Sequence, residues 1–572
     1  MKKLRGSLVV VLTALALAAS VGTATAQEPD PGGPFLSRFF GGSGGNGPST
    51  PSTPNRGSTP LEGLVENDAP VLAAANGGVL TYTGNGKSAS ATFTPASSGQ
   101  SASLQMLTIK TTETNETSTP SWRTIAAAKQ NSSGKATFSI SDPREVSHQY
   151  RAVSGGITSN TVTFAAPLPS KATGLSQVYF NSYEGNSVNT RDRWFEGEYS
   201  MTAGGGCGAV PKTSKARMKG RGNYSWSFAK KSFSVNLKDG LNLCGMGKSK
   251  KWAFVANHYD KSLLRNTVAG NVGRALTRLA WTPSSKPVDF FVNGSYRGSY
   301  ILIERVTVDD ERVNIPELKG AADNGQPNIT GGYLLEWDFR KGADRDVTAG
   351  NRGWVGIKEP EDPGDPEGIT SAQVSYINGY LDKTDFVLYG SNFKDNSTGW
   401  KKYIDINSAV DYYIGMELMK PVDGNMWASV YMYKQRSGKL FFGPLWDFDL
   451  AMGSANRAGN VVSPSSWYLR NNLGVSAQQT SKTWFNRLNE DPDFRSAVRA
   501  RWKQVYPNLS QSSFIDGQKA LIQKSADENF KKWSVKEHLS KYQVVKGSFS
   551  AEVSYLKSWM SSRRGWMNGQ LN

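Results

Sequence analysis

Cysteine and histidine are scarce in this sequence, which has two cysteines and three histidines in 572 residues. Neither residue type has the spacing of a zinc site, which argues against a zinc module or a histidine-based metal centre. In an oxidising compartment, Cys207 and Cys244 would form one disulfide, which stabilises a fold by about 4 kcal/mol in the chain-entropy model. Two buried free thiols are the alternative.

Long apolar runs are absent except near the start of the chain. There, residues 8–21 form an apolar run that follows basic residues and precedes the small-residue triplet 24–26. This order is typical of a secretory signal peptide over residues 1–26, with an uncleaved anchor as the alternative. No other run reaches the length of about 20 residues that a membrane helix requires. The sequence therefore predicts a protein that is secreted to the extracellular space or the cell surface and has no stable membrane span.

Acidic residues are outnumbered by basic ones, 48 to 66, which gives a formal net charge of +18. This charge suits anionic partners such as cell-envelope polymers, acidic proteins or nucleotide phosphates. The basic residues are scattered, and the sequence contains no zinc-finger spacing, RNP motif or basic helix. These features argue against nucleic acid as a partner.

The composition divides the rest of the chain into three parts. Residues 27–66 are rich in Gly, Pro, Ser and Thr, which predicts a disordered linker because they bury too little apolar surface. Residues 67–167 alternate short strands with turns, which predicts a small all-β sandwich of immunoglobulin or fibronectin type. Residues 172–570 mix strands with helices, including helices predicted over 261–279 and 406–419.

An acidic motif lies in the second half of the chain. Asp423 and Asn425 follow a predicted helix, and a hairpin then leads to the tetrapeptide WDFD, which contains Asp447 and Asp449. Phosphoryl transfer requires one carboxylate that orients the attacking hydroxyl and others that hold Mg²⁺ across the phosphates. The motif has the residues for this chemistry. From the spacing alone, acids that cap backbone amides at the end of a strand are an equally good interpretation.

A basic glycine-containing turn lies earlier in the chain. Arg221 and Asn223 flank its glycine, and Lys230 and Lys231 precede a predicted strand. Backbone amides and a lysine could contact phosphate there, whereas an ordinary solvated hairpin is the alternative.

Two glutamates end apolar strands. Glu304 closes a hairpin with an Asn-Gly turn, and Glu336 lies in GGYLLEWD. A partly buried carboxylate requires a partner. A phosphate-contacting lysine or a structural arginine, Arg265 or Arg305, would meet that requirement.

Five segments, in this order, resemble the spore-coat protein H (CotH) kinase family. They are RGNYSWSFAKKSF, KWAFVANHYDKSLLRN, FFVNGSYRGSYILIERV, GGYLLEWD and the acidic motif VDGNMWASVYMYK with GKLFFGPLWDFDLAMG. The resemblance covers roughly residues 175–570. It implies an α+β fold in which an atypical protein-kinase-like domain follows the all-β sandwich. It also implies ATP and Mg²⁺ or Mn²⁺ as cofactors, and Ser/Thr hydroxyls of a protein as the acceptor.

The resemblance also implies roles for individual residues. Asp423 corresponds to the catalytic aspartate, and Asp447 to a metal-binding aspartate supported by Asp449. The family's second metal-binding asparagine is replaced by Ala428, so Asn425 or Ser429 is expected to substitute for it.

The expected cofactor-binding residues are Arg221, Asn223, Lys230, Lys231, Glu304 and Glu336. Of the two lysines, Lys230 is preferred as the phosphate contact. Two classes of function follow: an exported kinase, or a non-catalytic adhesion or scaffold protein that uses the same fold at the cell surface and contacts cell-envelope polymers. The retained aspartates favour the kinase, since binding alone does not require them.

Overall fold

A computed structural model describes residues 77–572 apart from ten short segments, at 84–87, 112–117, 141–147, 165–168, 183–187, 209–213, 342–344, 361–367, 458–460 and 475–481. The predicted signal peptide over residues 1–26 and the predicted linker over 27–66 lie outside the described residues.

The described chain begins with a β-rich part. Its strands are β1 Gly78–Thr83, β2 Ser88–Phe93, β3 Ser101–Thr111, β4 Ser118–Lys129, β5 Lys135–Ser139, β6 His148–Ser154, β7 Ile157–Thr158 and β8 Val162–Phe164. One sheet has the order β1-β2-β5 and the other has the order β4-β3-β6-β7, with β8 paired to β6. β5 buries Ala136 and Phe138 and exposes the residues between, as the period of two in a strand requires. The assignment to the immunoglobulin or fibronectin class stays a prediction.

A closed barrel follows. Its strands are β9 Gln177–Ser182, β10 Phe195–Met201, β11 Ser214–Arg221, β12 Ser232–Asn242, β13 Lys248–Val255, β14 Ser285–Val292 and β15 Ser295–Glu304. They close in the order β10-β11-β12-β13-β15-β14-β9, and β14 runs parallel to β9. The interior is filled by large apolar side chains, including Met218, Trp252 and Phe290. β11 alternates buried and half-buried residues, so Arg221 points away from this interior.

The predicted disulfide is confirmed: Cys207 and Cys244 are bonded, with their Cα atoms 4.3 Å apart. Both lie at the edge of the barrel core, where Cys207 is buried and Cys244 packs against it. The bond therefore ties the segment before β11 to the turn that follows β12.

Helix α1, Arg265–Ala275, connects β13 to β14. It is shorter than the predicted helix 261–279, and its N-cap residue is Leu264 and not Asp260. Leu263 adopts a left-handed backbone with φ of 59°, so the helix can begin only after it. The Asp260 carboxylate instead accepts hydrogen bonds from the amides of Ser262 at 2.9 Å and Arg265 at 2.7 Å.

The last part of the chain combines a third sheet with helices. The strands are β16 Tyr333–Trp337, β17 Arg345–Thr348, β18 Trp354–Glu359, β19 Val430–Lys434 and β20 Leu440–Phe442, in the order β17-β18-β16-β19-β20. The helices are α2 Ser371–Tyr389, α3 Ile406–Met419, α4 Trp484–Leu488, α5 Pro492–Val505, α6 Ser512–Lys532 and α7 Phe549–Leu571. Across the described residues the fold is thus mixed helix and sheet, as the α+β prediction requires. None of these helices combines the length and apolarity needed to cross a membrane.

α3 is the central helix of this part. The Asp405 carboxylate caps its start by accepting from the Ser408 amide at 2.7 Å. Every residue from Ser408 to Met419 is buried, because other elements surround the helix. Lys420 ends it in a left-handed conformation with φ of 46°, and Pro421 prevents its continuation. The loop that carries Asp423 therefore starts from a rigid element.

Candidate active site

Hydrogen bonds between two loops bring the aspartates of the acidic motif together. The Val422 amide donates to the Leu450 carbonyl at 2.9 Å, and the Met452 amide donates to the Met419 carbonyl at 2.8 Å. Asp423 lies in the first loop, and Asp447 and Asp449 lie at the start of the second. The end of α3 thus fixes the distance between the two halves of the motif.

Asp447 and Asp449 converge through a turn rather than along an extended strand. Asp447 has a left-handed backbone with φ of 65°, and residues 449–450 form a turn. Asp447 keeps accessible surface, although the surrounding protein is dense enough to raise the pKa of its carboxyl group. The Asp447 carboxylate is therefore accessible from solvent.

The electrostatics of the site reflect the crowding of these carboxylates. Burial, together with the charge of Asp447, raises the pKa of Asp423 to about 7. Burial and the charges of Asp447 and Asp423 raise the pKa of Asp449 well above its usual value. Carboxylates that repel one another in this way retain a proton or attract a cation. A retained proton or a bound cation would therefore relieve the repulsion within this cluster.

Arg221 and Glu336 border this cluster. The guanidinium of Arg221 lies 5.3 Å from the centre of the Trp446 ring and interacts electrostatically with Asp447 and Glu336. Among the described residues, its buried Nη1 atom has no hydrogen-bond partner. A buried guanidinium N–H without a partner is costly, unless an anion such as phosphate completes its hydrogen bonds.

Glu336 is held by its own sheet. The hydroxyl of Tyr431 donates to Glu336 Oε2 at 3.2 Å, and Lys358 Nζ lies 3.2 Å from the same oxygen. Glu336 also raises the pKa of Asp447. The structure therefore brings both predicted border residues, Arg221 and Glu336, to the aspartate that the sequence predicts as a metal ligand.

Two arginines of the site, Arg340 and Arg457, were not predicted from the sequence. The positive charge of Arg340 lowers the pKa of both Asp423 and Asp447, and the charge of Arg457 lowers that of Asp423. Arg340 is itself paired with Asp338. Arg340 could have been predicted as a site residue from its position just after the segment GGYLLEWD. Arg457 follows the acidic motif closely, but no pattern in the sequence singles it out.

The two predicted lysines have other surroundings. Lys230 is buried, and its ammonium group donates to the carbonyls of Ala256 at 2.7 Å and Ser299 at 2.5 Å. The charged groups that act on it are those of Lys261 and Asp289, not the aspartates of the acidic motif. Lys231 donates to the carbonyl of Trp226. The structure does not bring either lysine into the acidic cluster.

Asn223 and Glu304 also have partners outside the cluster. Asn223 is exposed, and its Oδ1 accepts from Arg191 at 3.1 Å. Glu304 accepts from the Ser284 amide at 2.7 Å and lies 3.8 Å from Arg312, and burial raises its pKa to about 7. A nucleotide-binding role for either residue stays a prediction.

The predicted substitutes for the missing asparagine differ in position. Asn425 uses both ends of its amide within the protein: it donates to Leu473 O at 2.8 Å and accepts from Thr483 Oγ1 at 3.0 Å. Ser429 Oγ lies 3.5 Å from Asp447 Oδ2. Ser429 is therefore the better placed of the two to complete a metal site, and Asn425 instead ties the Asp423 loop to its neighbours.

The residues present fit a nucleotide-bound magnesium ion. Within the part of the chain that the structure describes, no three His, Cys, Asp or Glu residues form a complete metal-binding group. Protein-bound Mg²⁺ usually takes one or two carboxylates and completes its coordination with phosphate oxygens and water. Asp447 and Asp449 could supply those carboxylates, and Arg221 could bind a phosphate oxygen.

The site thus combines a cluster of carboxylates with an arginine, Arg221, whose Nη1 atom has no hydrogen-bond partner among the described residues. The family model described as CotH kinase protein matches residues 218–567, which is more than half of the chain. This chain therefore belongs to the CotH kinase family, and the predicted membership is confirmed. No curated protein matches the chain.

Proposed function

We propose that this protein is an exported kinase-like phosphotransferase that moves the γ-phosphoryl group of ATP to Ser/Thr hydroxyls of a protein. The observation that carries the proposal is the convergence of Asp423, Asp447 and Asp449 beside the unpartnered Nη1 of Arg221. Such a cluster is costly in a protein that only binds partners, because the like charges repel one another. Family membership supports the coarser statement that the protein is kinase-like.

In this proposal each residue of the cluster has one task. When bound, ATP would supply the phosphoryl group, and Mg²⁺ or Mn²⁺ would neutralise charge on its phosphates. Asp447, with Asp449, would hold the metal, and Arg221 would contact a phosphate oxygen. Asp423 would orient the acceptor hydroxyl and accept its proton. Its pKa of about 7 suits a group that gains and loses a proton near neutral pH.

The proposal extends to the fold and the location of the protein. We assign residues 172–570 to an atypical protein-kinase-like domain and residues 67–167 to an immunoglobulin- or fibronectin-like sandwich. Export rests on the signal-like pattern of residues 1–26, and the disulfide Cys207–Cys244 is consistent with an oxidising compartment. The non-catalytic adhesion or scaffold role is the outcome that remains if the enzyme test below fails.

The test compares wild type with Asp447→Asn and Asp423→Asn. Asp447→Asn should lower phosphoryl transfer by about 100-fold or more, because it removes a charge that stabilises the metal. Asp423→Asn should abolish transfer but leave ATP·Mg²⁺ binding close to wild type, since it acts on the acceptor hydroxyl. The exposed Asp239→Asn is the control and should change neither quantity.

Two measurements read out this test. One is the shift in melting temperature on adding ATP with Mg²⁺ or Mn²⁺, and the other is incorporation of labelled phosphate into the protein itself and into added acidic and basic protein acceptors. If wild type shows neither a shift nor incorporation with either metal, the kinase proposal is wrong and the adhesion role takes its place.

A further inference from the structure

A series of hydrogen bonds between polar side chains leads from the start of α1 to the acidic motif. The Phe448 amide donates to Asn266 Oδ1 at 2.8 Å. Asn266 Nδ2 donates in turn to Asn257 Oδ1 at 3.0 Å, and Asn257 Nδ2 donates to the Leu263 carbonyl at 3.2 Å. A backbone N–H can only donate, so Phe448 determines which end of the Asn266 amide faces the motif. The orientation of the Asn266 amide then determines the donor and the acceptor of every other hydrogen bond in the series.

The first hydrogen bond of this series, from the Phe448 amide to Asn266, holds the peptide group that joins Asp447 to Phe448. Asp447 has φ of 65°, a left-handed conformation that costs free energy for most residues and persists only where neighbours hold it. The hydrogen bond to Asn266 fixes the plane of the peptide that follows Asp447. It thereby limits the directions in which the Asp447 carboxylate can point.

The residue before Asn266 holds the other end of the same loop. Arg265 donates from Nε to the Ala451 carbonyl at 2.9 Å and from Nη2 to the Met452 carbonyl at 3.4 Å. Arg265 is itself buried in an ion pair with Asp260. Two consecutive residues of α1 therefore clamp residues 448–452 at both ends. Removing Arg265 would leave Asp260 buried and unpaired, whereas Asn266 is half-buried and can be changed with less damage.

We propose that Asn266 is a positioning residue that holds Asp447 in the orientation in which it binds the metal. The inference rests on the proposed function, since it assumes that Asp447 is a metal ligand. It assigns to the segment KWAFVANHYDKSLLRN a task beyond packing: this segment sets the metal affinity of a loop nearly two hundred residues later in the chain.

The test uses Asn266→Ala with a matched control on the same helix. Asn271 is also half-buried and also makes a side-chain hydrogen bond, from Nδ2 to Gln511 Oε1 at 2.9 Å, but it does not contact the acidic motif. Asn271→Ala should therefore reproduce the general cost of losing an asparagine from α1. Asn266→Asp keeps an acceptor oxygen for the Phe448 amide but loses the donor to Asn257, so it separates the effects of the two hydrogen bonds.

Two readouts do not depend on activity. Titration of Mn²⁺ in the presence of ATP should show that Asn266→Ala weakens metal binding about 2- to 12-fold, the loss expected for one net hydrogen bond. Hydrogen exchange at the Phe448 amide should be faster in Asn266→Ala and remain slow in Asn266→Asp and Asn271→Ala. In transfer assays, the Asn266→Ala defect should shrink at saturating metal, because the affinity and not the chemical step has changed.

The possible failures are distinguishable. If wild type binds Mn²⁺·ATP and Asn266→Ala binds it as tightly as Asn271→Ala, Asn266 does not position the metal ligand and the proposed function still stands. Equal exchange at Phe448 in all variants would overturn the inference in the same way. If wild type binds no Mn²⁺·ATP, the proposed function and this inference are both wrong.

Discussion

Asp423, Asp447 and Asp449 cost free energy to hold together. The charge of Asp447 raises the pKa of both other aspartates, and the charge of Asp423 raises that of Asp449. The protein offsets part of this cost with cations that come from three separate parts of the chain. Arg221 and Arg340 act on Asp447, and Arg457 acts on Asp423. The offset is incomplete, since burial still leaves all three pKa values raised. A divalent cation would remove the remaining cost, which links metal binding to stability.

Asp423→Asn should stabilise the metal-free protein by an amount that grows with pH. Burial and Asp447 raise the pKa of Asp423 from 3.8 to about 7. Between these values the unfolded chain loses this proton while the folded chain keeps it, so the free energy of unfolding of wild type falls as pH rises. Asparagine at position 423 does not titrate, so the variant does not lose free energy of unfolding in this way as pH rises. The gain should be absent below about pH 4, rise up to about pH 7 and then stay constant, on the order of 4 kcal/mol.

Urea denaturation of wild type and Asp423→Asn at pH 4, 5.5, 7 and 8 without metal measures this gain. Asp239→Asn, at an exposed position, is the control and should show no such trend. A stability difference that is the same at all four pH values would show that Asp423 ionises in the folded protein as it does in the unfolded chain.

The sequence predicted the acidic half of the site better than its basic half. Asp447 and Asp449 are two residues apart in the chain, and Asp423 is joined to them by one hairpin, so local pattern suffices to group them. Whether a basic residue belongs to the site depends on the direction in which its side chain points. Arg221 points outward from the barrel toward Asp447, whereas Lys230 turns inward to carbonyl groups. That difference depends on how β11, β12 and β15 close the barrel, which a linear pattern does not contain.

At the scale of elements, helix prediction succeeded where each element has strong boundary signals. α3 has the predicted bounds, Ile406–Met419, because Asp405 caps its start and Pro421 lies beyond its end. α1 begins four residues later than predicted, because the apolar period continues through Leu263, whose left-handed backbone cannot join a helix.

The pairing between α3 and α7 is an element contact that sequence does not reveal, and it supports the Asp423 loop. Arg563 on α7 and Glu417 on α3 are fully buried, with Nη2 of Arg563 2.9 Å from Glu417 Oε2. Arg563 also donates to the Pro464 carbonyl at 3.0 Å, and Glu417 accepts from the Tyr468 amide at 2.7 Å. The last turn of α3 is thus bonded to the last helix of the chain.

Arg563→Met should lower the free energy of unfolding by about 3–5 kcal/mol, because it leaves the Glu417 carboxylate buried without its charge partner. The double variant Glu417→Gln/Arg563→Met should be less destabilised than the sum of the two single variants, since no uncompensated charge remains. Chemical denaturation of the four proteins gives the coupling. Additive effects would show that the pair contributes no specific interaction.

At the scale of the whole molecule, the boundary between the β-rich part and the CotH part can be judged by its contacts. Prediction placed the start of the second part at residue 172. Two residues before that position, Pro169 and Lys171, already make three contacts with the second part. Tyr179 donates its hydroxyl to the Pro169 carbonyl at 2.9 Å, Gln177 donates to the Lys171 carbonyl at 3.0 Å, and Lys171 pairs with Glu528 at 2.8 Å. From these contacts we expect that the CotH part requires the chain from about residue 169 onward.

Two truncated chains test this boundary. A chain that starts at residue 169 keeps all three contacts, and we expect it to fold and to bind ATP·Mg²⁺ as the full chain does. A chain that starts at residue 172 loses Pro169 and Lys171, and with them two backbone acceptors and one partly exposed ion pair. Hydrogen bonds contribute about 0.5–1.5 kcal/mol each and exposed ion pairs less than about 1 kcal/mol. The shorter chain should therefore be less stable by about 1–3 kcal/mol while it keeps ATP binding at low temperature.

Circular dichroism melts and thermal shift with ATP·Mg²⁺ distinguish the possible results. Equal stability of the two truncated chains would show that residues 169–171 belong to the connection and not to the CotH part. The chain that starts at residue 169 could also lose ATP binding while it keeps its secondary structure. That result would mean that the β-rich part contributes to the nucleotide site, because the acidic motif, Arg221 and the α1 segment are all retained in that chain.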